Sequence, residues 1–93
     1  MGLYTFFFEY DGGTYISQVS AEDAMGAARS WAEGFNLHLK DKYAGLFEKD
    51  IHDKLVRSVE EEMMVPIKGM VHTWCLSLLY LKRPNLVNFT STL

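Results

Sequence analysis

Near the start of the chain Tyr4, Phe6, Phe8 and Tyr10 recur at every second position. Strand side chains alternate between the two faces of a sheet, so this period places four aromatics on one face. A second alternating run follows, and Asp11-Gly12-Gly13 separates the two. The pattern predicts a β-hairpin over residues 4–19. A loop of even length sets Tyr15, Ser17 and Val19 beside the aromatics and leaves Leu3, Thr5, Phe7, Glu9, Thr14, Ile16 and Gln18 opposite. An odd loop separates polar from apolar less well. Gly12 and Gly13 can both adopt the positive φ of a type I′ turn.

The period then lengthens. Ser20, followed by Glu22 and Asp23, reads as a helix N-cap with acids at the positive end. Ala21, Ala24, Met25, Ala28, Ala32 and Phe35 follow at helical spacing, with Trp31 at the border of the stripe. A stripe made largely of alanine fits against a sheet face crowded with rings, which places this helix across Tyr4, Phe6 and Phe8. A second helix is predicted from about residue 44 to 60, with Phe47, Ile51, Leu55, Val56 and Val59 on one side. Asp50 with Lys54 and Asp53 with Arg57 stand four apart as acid before base, the favourable order on an exposed helix. Glu60, Glu61 and Glu62 then oppose the negative helix end and favour termination. Met63 to Met70, containing Pro66 and Gly69, reads as a connection.

Alternation returns over residues 73–81, where Trp74, Leu76, Leu78 and Tyr80 share one side. Arg83-Pro84-Asn85-Leu86 suits a four-residue loop around a type I turn, because proline cannot take positive φ. That loop sets Val87, Phe89, Ser91 and Leu93 on the Trp74 side. The expected fold is therefore a single α+β domain over residues 1–93. Two β-hairpins flank a two-helix middle in β-β-α-α-β-β order, giving one four-stranded antiparallel sheet with helix packed on one face. Its outer face would be mostly Thr, Ser, Asn and Gln, yet would also carry Leu3, Phe7, Ile16, Leu79 and Leu81. Such an apolar cluster marks an interaction surface, and these five residues are the candidate interface.

Composition narrows the partners. With 93 residues, a net charge of −3 and scattered Lys and Arg, the chain lacks the basic patch that neutralises phosphates, which argues against nucleic acid and against a polybasic membrane anchor. No apolar run is long enough to span a bilayer. One cysteine, Cys75, excludes an intramolecular disulfide and fits a reducing compartment, so a cytoplasmic location is expected.

Catalytic and metal candidates are sparse. His72 and Cys75, three apart on a strand, point to opposite faces. Glu48 and His52 could share a metal, but zinc needs three or four protein ligands and nothing else converges there. No catalytic, cofactor-binding or metal residue is assigned. The leading expectation is a noncatalytic protein-interaction module, most simply a homodimer joined through the outer sheet face or an edge strand. Trp31, Trp74 and Tyr80 are wall candidates for a small apolar ligand. A small enzyme using His38, His52 or His72, with its site completed across a dimer, is the alternative from another class.

The segment YTFFFEYDGGTYISQV running into SAEDAMGAA resembles the opening of HicB-type antitoxins. The resemblance implies an antitoxin-like regulatory protein that binds a small toxin. It covers about a quarter of the chain, lacks that family's third strand and Pro-x-x-Pro-Gly-Cys segment, and transfers no residue roles.

Overall fold

The computed structural model describes residues 2–35, 47, 50–61, 64–78 and 80–91. In chain order these form β1 (Gly2–Tyr10), β2 (Gly13–Ala21), α1 (Ala24–Glu33), α2 (Ile51–Glu60), β3 (Met64–Pro66), β4 (Thr73–Leu76) and β5 (Asn85–Ser91). The strands make one sheet in the order β2-β1-β5-β4-β3, and every neighbouring pair is antiparallel. The α+β class agrees with the sequence pattern, whereas the sheet has five strands rather than four. The additional strand is β3, inside the segment read as a connection.

The first hairpin closes through a two-residue loop, because Tyr10 pairs with Gly13. Asp11 and Gly12 carry the positive φ values, 48° and 86°, so the left-handed pair is Asp-Gly and Gly13 belongs to β2. An Asp-Gly pair suits the type I′ turn, whose twist matches that of the flanking strands. The even loop puts Tyr15, Ser17 and Val19 opposite Phe8, Phe6 and Tyr4.

Pairing continues to Gly2 with Ala21, so Ser20 is a strand residue and does not cap the helix. Asp23 does: its carboxylate accepts the Gly26 N–H at 2.7 Å. The helix accordingly starts later; the expected stripe still faces the core, with Ala28, Ala32 and Phe35 buried and Ala24 and Met25 packed against it, and Ala27 and Trp31 join it. Trp31 is 1% exposed, a core residue and not a border one. Small side chains let α1 approach the rings, as expected. Phe6 lies between two aromatic neighbours, stacked on Trp31 at 5.1 Å and on Phe89 at 4.4 Å between centroids. Such contacts stabilise beyond simple burial.

The second helix spans Ile51–Glu60 among the described residues, and Phe47 lies outside it while packing on the core. Ile51, Leu55 and Val59 are buried in the same cluster as Phe6, Phe8 and Phe89. Both helices therefore cover the aromatic face of the sheet. Lys54 pairs with Asp50 at 3.3 Å as the spacing predicts, but Arg57 reaches forward to Glu61 at 3.2 Å.

Across β4 and β5 the register sets Trp74 opposite Phe89 and Leu76 opposite Val87. The faces are those expected, since the parity is unchanged, but the connection is longer than four residues. β4 ends at Leu76, and residues 77–84 bridge to β5. Within that bridge Leu78 is buried, and Tyr80 leaves the sheet for the end of α2.

Candidate interaction surface

With both helices on one face, the other face of the sheet is covered by no described element. The pairings align one row across all five strands: Ile16, Phe7, Asn88, Cys75 and Val65. Three of these are large apolar residues open to solvent, with Ile16 59%, Val65 53% and Phe7 40% exposed. In the next row Leu86, opposite Glu9, is also exposed. Glu9 is the one charged side chain among the outward strand positions described.

On the other flank of this row the polar side chains are hydrogen-bonded to one another or to backbone carbonyls. Gln18 Nε2 donates to Thr5 Oγ1 at 2.9 Å, and Thr90 Oγ1 donates to the His72 carbonyl at 3.0 Å. Thr73 Oγ1 donates to the Val71 carbonyl at 3.1 Å. These hydrogen bonds satisfy short polar side chains on that flank. Exposed apolar side chains in such a row, Ile16 beside Phe7 with Val65 beyond Asn88 and Cys75, are suited to contact with another protein surface.

The five residues expected at the interface separate. Leu3, Phe7 and Ile16 lie on the outer face, with Leu3 half-buried opposite Ser20 on β2. Leu79 lies outside the described residues. Leu81 does not belong there: β4 has already ended, and its side chain packs partly buried against the core cluster. Val65 and Leu86 are also exposed on this face, although the sequence pattern did not single them out. Leu86 was assigned to a turn, and Val65 sits beside Pro66 in a three-residue strand with too little alternation to register.

The chemical candidates remain dispersed. His52 Nε2 lies 3.0 Å from the Glu33 carbonyl, tying α2 to the end of α1, and its Nδ1 is 3.5 Å from Asp53 Oδ1. His72 has φ of 55° and is exposed, and its carbonyl accepts the Ser91 N–H at 2.9 Å. Its position is accounted for by backbone pairing. His38 and Glu48 lie outside the described residues. No group of three potential metal ligands occurs among the described residues. Of the wall candidates, Trp31 is wholly buried, Trp74 stacks on Phe89 at 5.4 Å and Tyr80 stands at a separate cleft, so they do not share a pocket.

That cleft, of about 470 Å³, is lined by Asp50, Asp53, Lys54, Arg57, Tyr80 and Lys82. Beside it the Tyr80 hydroxyl donates to Glu61, and the Arg57 guanidinium lies 4.3 Å from the Tyr80 ring centroid. The Tyr80 hydrogen bond, helped by Arg57, lowers the Glu61 carboxyl below its usual range. The same bond raises the Tyr80 phenol. The trio clamps the 77–84 bridge to the end of α2 by compensated charges.

No protein-family model matches the chain, and neither a curated protein nor a solved structure shows significant similarity to it. No described helix is long and apolar enough to cross a membrane.

Proposed function

We propose that this chain is a noncatalytic protein-interaction module that self-associates as a homodimer through the outer sheet face or an edge strand. The observation that carries this reading is the row of Ile16, Phe7 and Val65, exposed on a sheet face that neither helix covers. Full burial of an exposed apolar side chain gains roughly 1.5–3 kcal/mol, and these side chains, already part-buried, would each gain a fraction of that, so a few together offset part of the cost of association. The near absence of charge on that face favours a neutral protein surface over nucleic acid. A single cysteine fits a reducing cytoplasm.

Multi-angle light scattering of the wild type beside Phe7→Thr and Ile16→Thr tests the proposal. The wild type is expected to gain mass with concentration, and a dimer joined through the outer face is expected to lose that gain in each substitution. A wild type that stays at monomer mass into the high micromolar range contradicts it.

A further inference from the structure

The two edges of the sheet are built differently. β3, at one end, has three residues, includes Pro66 and is followed by Lys68. Ile67 N–H donates to the Thr73 carbonyl, so Val65 and Ile67 turn their backbone groups toward β4 while Met64 and Pro66 turn theirs outward. Proline therefore stands where a second chain would need a donor. Short length, proline and a nearby lysine are the features that protect an edge from further pairing.

β2, at the other end, has none of these. Its nine residues, GTYISQVSA, carry no charge and no proline, and they pair with β1 without a bulge. The two-residue loop makes Tyr10 and Gly13 a mutually hydrogen-bonded pair, and such pairs alternate along the strand. The backbone groups of Thr14, Ile16, Gln18 and Ser20 consequently point away from β1. Among the described residues no strand meets them.

We propose that β2 pairs antiparallel with β2 of a second copy, about a two-fold axis at Ser17, joining two sheets into one. This deepens the self-association reading above and rests on it. Hydrogen-bond parity permits only registers that oppose outward residues to one another. Of these, the register centred on Ser17 uses all nine residues. It also sets Tyr15 against Val19 of the second copy, twice by symmetry. Both side chains are half-buried and pack on the core from the sheet edge, so each extends the other's apolar contact. Sliding by one register either way puts Tyr15 opposite Ser17 or Ala21 and shortens the ladder.

Charge completes the description of the occupant. Neutral β2 brings no like charges together along the ladder, while exposed Asp11 of one copy approaches the end that holds Asp23 of the other. Screening by salt therefore strengthens this pairing. A complex with a basic partner would respond in the opposite sense.

The test uses the intact chain at low and high micromolar concentration. Residue-resolved amide exchange is expected to slow at Ile16, Gln18 and Ser20 as concentration rises. A sample mixing labelled and unlabelled chains is expected to give a nuclear Overhauser contact between the Tyr15 ring and the Val19 methyls. Four strand positions separate these residues by about 13 Å within one chain, so the contact must be intermolecular. Gln18→Pro removes an outward donor and is expected to abolish association while circular dichroism shows it folded. Association with those amides still exchanging fast overturns edge pairing and leaves a face-mediated dimer standing, whereas association dissolved by salt overturns edge pairing and the apolar face alike. A strictly monomeric wild type overturns both.

Discussion

The Trp31 indole Nε1–H donates to Ser17 Oγ at 3.1 Å, joining the buried face of α1 to the middle of the edge strand β2. The indole is almost fully enclosed, so this hydroxyl is the acceptor that lets a polar group sit in the aromatic core. Ser17→Ala is therefore expected to cost about 1–3 kcal/mol, the range for a buried donor left unsatisfied. Urea denaturation followed by Trp fluorescence measures it. An unchanged midpoint would show that the indole finds another acceptor.

The second prediction separates the core from the surface. Leu55 is buried between α2 and the rest of the cluster, so Leu55→Ala is expected to destabilise by about 2–5 kcal/mol. Ile16→Thr, on the open face, is expected to change monomer stability by no more than about 0.5 kcal/mol. Thermal melts of the two variants at low concentration give the comparison.

The turn supplies a third. Gly12 has φ of 86°, and an added Cβ there meets nothing within 4 Å, so any cost of Gly12→Ala comes from the backbone. A residue with a Cβ in the left-handed region is disfavoured by roughly 1–2 kcal/mol, and a loss of that size is expected in denaturant titration.

A fourth concerns pH. The Glu61 carboxyl is lowered first by the Tyr80 hydrogen bond, so its contribution is present above the unfolded pKa and lost as pH falls through the folded one. Tyr80 is raised by Glu61, so its contribution is present below the unfolded pKa and lost as pH climbs through the folded one. Tyr80→Phe is expected to move the Glu61 titration upward, as read by carboxyl carbon NMR. A Glu61 titration unchanged in that variant would show that Arg57 alone sets it.

Period-two patterns were the legible part of this chain. The row Tyr4, Phe6, Phe8 and Tyr10 faces the core because alternation is set by strand geometry itself, and the even loop fixed which β2 residues joined it. The same parity kept Trp74 and Leu76 beside Val87 and Phe89 although the connection proved longer. What local pattern could not convey was where pairing stops. Ser20 and Asp23 are both competent caps, and the choice fell to Asp23 because Gly2 extends the ladder to Ala21. Tyr80 looked like a strand residue until Glu61, distant in sequence, provided its partner. Of the candidate surface, Phe7 and Ile16 followed from parity. Leu81 went to the core because its strand had ended five residues earlier.

Sedimentation equilibrium of the intact chain over a wide concentration range tests the central claim most directly. Self-association predicts an average mass rising from 10.7 kDa toward twice that value. A mass fixed at 10.7 kDa at every concentration would contradict it.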